Sequence, residues 1–298
     1  MSLEIEAEGE SCLCDFTFDF YWQHEGSRLD PDVGIGTNSA TFRDLVNTLQ
    51  SGEDVLIRGD VGGRLGSSLG VNLVKLGGSG GPINGTGSVV VDGNVGPRLG
   101  ISMLQGAIYI SGKVKTPLGN VIEMESDRTG YRKYVSITEV LEKGLPVLDP
   151  NLLDEKGLEI KDGLVRETLA ARSSAERILL VRGDAGMSAG ILMRSGILDI
   201  DGDAGRNTGV LMRGGRLIVR GKCDDFTAAE MKGGEIFVEG NAGSFICAQM
   251  KGGRVYAREG KAIPPAKMQT LKGDEASQVA RTLEINNLQA MMYKKFCL

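Results

Sequence analysis

GDAGMSAGILMRSGILDID (Gly183–Asp201), GDAGRNTGVLMRGGRLIVR (Gly202–Arg220), GKCDDFTAAEMKGGEIFVE (Gly221–Glu239) and GNAGSFICAQMKGGRVYAR (Gly240–Arg258) stand in tandem, each opening on a glycine nineteen residues after the last. A fixed period of this kind marks units that bury their apolar face only by stacking on copies of themselves. The register extends upstream to Gly112, Gly93 and Gly59, so seven opening glycines, Gly59, Gly93, Gly112, Gly183, Gly202, Gly221 and Gly240, define the repeat. The chain carries 44 glycines in 298 residues, about twice the usual ~7%.

Counting from the opening glycine gives each column a physical meaning. Position 10 is Met103, Met193, Met212, Met231 and Met250, with Leu69 in the first coil, which reads as an inward ladder of adaptable apolar side chains. Position 13 is glycine in six coils, from Gly87 to Gly253, where positive φ or close backbone approach is expected. Positions 15 and 17, such as Leu217 and Val219, alternate inward as a short strand does. Position 7 accepts small residues, among them Cys247, which therefore reads as a packed core thiol. Only parallel stacking keeps one register coil after coil, because antiparallel neighbours run in opposite directions. These columns predict an all-β core: a right-handed, single-stranded parallel β-helix of about seven turns.

The repeat is interrupted twice. In the first coil 15 extra residues, including KLGGSGGPING, separate Leu69 from Gly87; in the third, the pattern fades after Ile122 and resumes at Ile178 with 52 residues to spare. Counted this way, both insertions (about 70–84 and 123–175) leave one corner, between positions 10 and 13, and would sit roughly 10 Å apart at ~4.8 Å per coil. One continuous solenoid with an inserted α/β excursion is expected, the alternative being two β-helices joined by a linker over 123–177. Ser136 with Glu139 predicts a capped helix over Ile137–Lys143 closed by Gly144, and Leu164–Arg172 a second helix.

Three domains follow: 1–54, an N-terminal strand and capping helix; 55–260, the β-helix; 261–298, a helical tail. Thr41–Gln50 reads as the amphipathic cap before the first coil, and Met268–Phe296 as helical after the last, Pro264 and Pro265 closing the solenoid. Phe16, Phe18, Phe20 and Trp22 share one face of a flanking strand. Met1 to Leu3 read as a remnant of expression and support no inference.

Chemistry is sparse. Gly66-Ser67-Ser68-Leu69-Gly70 matches a nucleophile elbow, yet its glycines belong to the repeat and His24 is the sequence's one histidine. Gly34-Ile35-Gly36 and Gly78-Ser79-Gly80-Gly81 lack the strand-to-helix context and lysine of a phosphate loop. Asp60, Asn94, Asp184, Asp203 and Asn241 at position 1 read as turn residues, since Lys113 and Lys222 interrupt what would otherwise resemble stacked calcium ligands. Five cysteines, Cys12 and Cys14 among them, show neither disulfide nor zinc spacing and suit a reducing compartment. A net charge of −5 offers no basic footprint for nucleic acid, and no apolar run reaches membrane-spanning length. The expectation is a cytoplasmic protein with no catalytic, cofactor-binding or metal-binding residues of its own, contacting other protein subunits and able to self-associate as a homo-oligomer. The loop bearing Gly77, Gly78, Gly80 and Gly81 is the expected partner contact.

The coils bearing Gly-Asn-Ala-Gly (Gly240–Gly243) and Met-Lys-Gly-Gly (Met231–Gly234, Met250–Gly253) resemble the Gly-rich (GXGXG) family of formylmethanofuran dehydrogenase β-helix subunits. They are also similar to the carboxy-terminal β-helix of the glutamate synthase large subunit. The resemblance spans about 55–122 and 178–260. It implies a non-catalytic scaffold in an archaeal oxidoreductase complex of methanogenic one-carbon metabolism (methanogenesis), with molybdenum or tungsten pterin and iron–sulfur clusters on partner subunits. A stand-alone glutamate synthase module and a free-standing structural or binding solenoid are the alternatives. The excursion and the tail from Lys267 fit neither family's pattern comfortably.

Overall fold

The computed structural model describes residues 3–7, 30–37 and 39–298. Cys12, Cys14, His24 and the Phe16–Trp22 strand lie outside the described residues. The chain forms two compact units, Met1–Leu148 and Asp149–Leu298, each built of stacked parallel coils, about nine in all.

The first unit contains β1 (Leu3–Glu6), α1 (Phe42–Gln50), β2 (Val55–Arg58), β3 (Val89–Asp92), β4 (Ala107–Ile110), β5 (Val121–Met124), β6 (Arg132–Ser136) and α2 (Ile137–Lys143). Its sheet runs β1-β2-β3-β4-β6-β5. The first four strands are parallel, with Val55 opposite Val89 and Val89 opposite Ile108, while β6 runs antiparallel to both β4 and β5. Thr41 caps α1 by accepting from the Asp44 N–H while the Asp44 carboxylate accepts from the Thr41 N–H. Phe42, Leu45, Val46 and Leu49 of α1 are buried in the same core cluster as Leu65, Leu69 and Met103.

The second unit contains β7 (Leu152–Leu153), β8 (Gly157–Ile160), β9 (Ile178–Val181), β10 (Ile197–Ile200), β11 (Arg216–Val219), β12 (Glu235–Ile246), β13 (Arg254–Ala262), β14 (Lys267–Thr270), α3 (Gly273–Leu283), α4 (Asn287–Ala290) and β15 (Lys294–Cys297). Strands β8 to β13 are parallel rungs; Ile197 faces Arg216, Arg216 faces Glu235 and Glu235 faces Arg254, one repeat apart each time. Leu198, Ile200, Leu217, Val219, Ile236 and Val238 point into the core and are almost wholly buried. On the outer face Ile218, Phe237 and Tyr256 pack under Ala276, Val279, Ala280 and Leu283 of α3, with the two rings stacked at 4.8 Å.

The structure departs from the sequence reading in several places. The third coil does not run on through an excursion to Ile178. After Asn120 the chain turns back as the β5–β6 hairpin, and the rung that β9 stacks on is β8, with Gly157 opposite Ile178. The solenoid is thus carried by two units, and 157–177 is a coil of its own. Leu164–Arg172 is consequently not a helix: it is the corner of that coil, with Thr168, Ala170 and Arg172 at φ 55, 53 and 57°. The tail is only partly helical, because β15 returns antiparallel to β13 and covers the last parallel rung, while β14 pairs outside it. Leu3 belongs to β1, whose Leu3-Glu-Ile-Glu alternation places Ile5 in the core beside β2. Unpaired strand edges invite association, and β1 and β15 cover the parallel rungs they flank.

A left-handed column pattern holds the coil corners. Among the described residues, seventeen of the eighteen non-glycine residues with positive φ fall at positions 5, 7 and 9 of the coils or their equivalents in 157–177, the exception being Glu284. Between neighbouring coils their N–H groups donate alternately in opposite directions. Ser188 donates to Arg206 O on the next coil at 2.8 Å, Ala228 to Thr208 O on the preceding one at 2.8 Å, and Leu211 to Ala229 O on the next at 2.9 Å. An L-residue in this region costs roughly 1–2 kcal/mol, and stacking offsets that cost by giving most of these strained amides an acceptor on a neighbouring coil.

Candidate partner-binding site

The Gly-rich insertion of the first unit is an ordered hairpin. Val71 bridges Pro82, the Asn72 N–H donates to Gly81 O at 2.8 Å, Gly80 N–H donates back to Asn72 O at 2.7 Å, and Ile83 N–H donates to Gly70 O at 3.1 Å. A 3-10 turn at Val74–Leu76 leads to Gly77, at φ 88°, and a Cβ on Gly78 would stand 2.1 Å from the Asn72 Oδ1. Gly77, Gly78, Gly80 and Gly81 therefore build the turn at the hairpin tip. Val71 and Leu73 at its base are buried in the core cluster, so the insertion carries more of its own packing than its glycine content suggests. An open cleft of about 660 Å³ separates its Asn72 and Pro82–Gly85 side from Gln50–Gly52 after α1.

The other excursion is fixed as firmly. Ser136 caps α2, accepting from Thr138 N–H at 3.1 Å, and its hydroxyl donates to Met103 O at 2.7 Å. Glu139 leaves the expected capping box: its carboxylate accepts from the Gly106 N–H at 3.0 Å, holding α2 to a coil glycine instead of to its own N-terminus. Buried Asn120 donates to Met103 O at 2.9 Å and Thr138 Oγ1 at 2.8 Å where the coil gives way to the hairpin. At the outer face of this sheet Arg128 sits 4.5 Å over the Tyr109 ring and pairs with Asp54 at 2.6 Å, while the Tyr109 hydroxyl donates to Asp127 at 2.8 Å. That hydrogen bond, then Lys133, holds the Asp127 carboxyl below its ordinary value.

The repeat glycines and methionines interlock. Met103, Met212 and Met231 are fully buried, and Met193 and Met250 are 2% exposed. A Cβ on Gly234, where φ is 94°, would meet Met212 Cε at 2.9 Å and Gly215 O at 2.8 Å; on Gly253 it would meet Met231 Cε at 2.7 Å. The methionine of one coil thus occupies the space that the glycine of the next leaves empty. At the opening glycines the coils approach backbone to backbone, with Gly202, Gly221 and Gly240 N–H groups donating to Gly183, Gly202 and Gly221 carbonyls at 3.1, 3.0 and 2.9 Å.

The carboxylates of position 1 have structural partners. Asp184 Oδ1 accepts from the Asp203 N–H at 2.8 Å and Asp203 Oδ1 from the Lys222 N–H at 2.9 Å; Asp60 and Asn94 repeat the ladder in the first unit. Position 1 therefore satisfies the backbone of the next coil, and among the described residues no group of three or more His, Cys, Asp or Glu could hold a metal ion. Ser67 donates to Arg64 O at 2.8 Å and is buried. Burial pushes the Cys223 and Cys247 thiols up to about 12. Among the described residues no helix is long and apolar enough to cross a membrane.

One surface feature lies inside the motifs and was not singled out from sequence. Position 11, between the buried methionine and the position-12 residue, is Arg194, Arg213, Lys232 and Lys251, all exposed, on successive coils of the second unit. Its signal was the charge type shared by Met-Arg-Ser-Gly, Met-Arg-Gly-Gly and Met-Lys-Gly-Gly at one register position. Two aromatic residues at position 5, Phe226 and Phe245, are likewise exposed and stack at 4.9 Å.

No family model matches the chain. It is similar to an uncharacterized protein of Methanothermobacter thermautotrophicus, with 46% identity over 200 residues, which are 66% of this chain and 65% of that relative; the match thus spans a little under two thirds of the relative's length. Among solved structures it is similar to a chain in the X-ray crystal structure of the formyltransferase/hydrolase complex of Methylorubrum extorquens in complex with methylofuran. The two share 20% identity over 96% of this chain and 89% of that one, at a TM-score of 0.38, a superposition too loose to transfer function.

Proposed function

We propose that this chain is a scaffold that holds the catalytic subunits of a cytoplasmic one-carbon oxidoreductase of the formylmethanofuran dehydrogenase type. The observation that supports it is the placement of the residues on which that resemblance rests. In each Met-Lys-Gly-Gly the methionine fills the core, the last glycine makes room for the methionine beneath it, and the lysine is exposed. In Gly-Asn-Ala-Gly, Gly240 N–H donates to Gly221 O, Asn241 Oδ1 accepts from Gly243 N–H, and Ala242 is buried. The motifs thus build a regular surface of stacked coils. Rigid repeats with an insertion at one corner are suited to presenting a fixed surface to partners.

The test is purification of the tagged chain from its native host, followed by mass spectrometry of what accompanies it. A molybdopterin-bearing or amidohydrolase subunit in stoichiometric yield is the expected result. A flavin and iron–sulfur synthase would point instead to a glutamate synthase module, and a chain recovered alone would overturn the scaffold reading.

A further inference from the structure

We infer that the column Arg194, Arg213, Lys232 and Lys251, with the groove beside it, is a docking surface for an acidic segment of a protein partner. The inference rests on the scaffold reading and names where and with what chemistry a partner is held. The four cations occupy one register position of four stacked coils, so their Cα atoms rise at roughly 4.8 Å per step. Like charges on adjacent rungs repel, and elsewhere on these coils the sequence avoids the problem. Arg216 and Arg254 share Glu235 at 3.2 and 3.7 Å, Arg220 lies between Asp199 and Glu239 at 2.8 and 3.5 Å, and Arg182 between Glu159 and Asp201 at 2.6 and 2.8 Å. Among the described residues none of the four column cations makes such a pair. Neighbouring columns alternate sign while this one keeps a single sign, and a complementary anion is what relieves it.

Beside the column runs an open groove of about 460 Å³ that spans four rungs; Arg177, Arg194 and Arg216 outnumber Glu176 and Glu235 in its lining, Glu235 is already paired with Arg216 and Arg254, and Ile178 and Ile197 supply an apolar wall. The apolar wall distinguishes the occupant: single-stranded nucleic acid is held by aromatic platforms on which bases stack, whereas this lining offers isoleucines and no ring. The overall charge of −5 also argues against a nucleic-acid surface, and a carboxylate-bearing, partly apolar peptide segment fits both features. The column occupies the coil corner between the methionine and the position-13 glycine, which in the first unit carries the Gly70–Ile83 hairpin.

The whole chain is tested with fluorescein-labelled oligoglutamate, with oligothymidylate of the same length and with inorganic phosphate. Oligoglutamate should bind, weaken as salt rises, and lose roughly tenfold or more in affinity in Arg213→Glu/Lys232→Glu. Arg213→Ala/Lys232→Ala supplies the same readout should reversal disturb folding, and Lys113→Glu, outside the column, should bind as wild type does. Equal binding by the wild type and the column variants overturns the docking surface, as does oligothymidylate or phosphate binding at least as tightly as oligoglutamate. In the native host, a catalytic subunit recovered equally with wild type and Arg213→Glu/Lys232→Glu overturns the docking surface and leaves the scaffold standing. Discrimination of oligoglutamate with no subunit recovered overturns the scaffold and, with it, the protein nature of the occupant.

Discussion

Replacing Gly234 by alanine tests how the coils interlock. The backbone there has φ 94°, and the added methyl would lie 2.8 Å from Gly215 O, 2.9 Å from Met212 Cε and 3.0 Å from Gly214 C. The dihedral costs about 1–2 kcal/mol, and crowding by a methyl in a filled core adds ~1–3 kcal/mol. Met212→Ala alone removes a fully buried side chain and should cost ~2–5 kcal/mol. The two substitutions share one volume, so the double variant should be more stable than their sum by about 0.5–1.5 kcal/mol, as Met212 Cε no longer opposes the new methyl. The recovery should be incomplete, because Gly215 O and Gly214 C remain in place. Urea melts of the four proteins, followed by circular dichroism, give the cycle. Additivity within about 0.3–0.5 kcal/mol would refute the argument that each methionine occupies the space under the next coil's glycine.

Three further outcomes are expected. Cys223 and Cys247, with thiols pushed up to about 12 by burial, should resist iodoacetamide at about pH 8 in the folded protein and react in urea, as read by peptide mass spectrometry; native labelling of either would contradict the packing described. Asp60, held below its ordinary 3.8 by the Asn94 N–H and amide, and Glu275, held below 4.5 by the Lys272 N–H and then by Lys295, contribute stability that is complete above those ordinary values. It is lost as the pH falls through the lower folded ones, so urea midpoints should decline only in that acidic range and Glu275→Gln should flatten the decline. Shortening the hairpin between Leu73 and Gly81, while keeping Val71, should leave the melting temperature nearly unchanged and weaken recovery of partner subunits, whereas removing all of 70–84 should also destabilise the first unit, since Val71 and Leu73 are core residues.

The parallel coils were legible because nineteen-residue spacing leaves Met, Gly and alternating aliphatic residues in fixed columns, α1 because Thr41–Gln50 is amphipathic, and α2 because Ser136 announces its N-terminus. What escaped has physical reasons. Leu164–Arg172 carries good helix formers, and nothing in Thr168, Ala170 or Arg172 signals left-handed backbone, which neighbouring coils impose. The Lys294–Cys297 strand is short and takes its conformation from pairing with β13, a tertiary effect that local propensity does not contain. Leu3-Glu-Ile-Glu does alternate, but with Leu3 set aside as part of a remnant the three residues left are too few to announce a core strand. The basic column was in plain view inside the motif, but a charge at one position of one coil is an ordinary surface residue; stacking turns four of them into a surface.

The left-handed residues at positions 5, 7 and 9 bear on how such a molecule can be assembled. A coil on its own would hold Phe226, Ala228 and Glu230 at φ 66, 60 and 53° with their amides unanswered, since the acceptors, Ser244 O, Thr208 O and Ala248 O, belong to the coils on either side. A single turn is therefore a poor nucleus, and ordering should begin with at least two or three turns closing together. Growth outward from that seed then becomes progressively easier. Lengthening or shortening the array by whole repeats should accordingly be tolerated in its interior, where both neighbours are supplied, and resisted next to the terminal strands that close it.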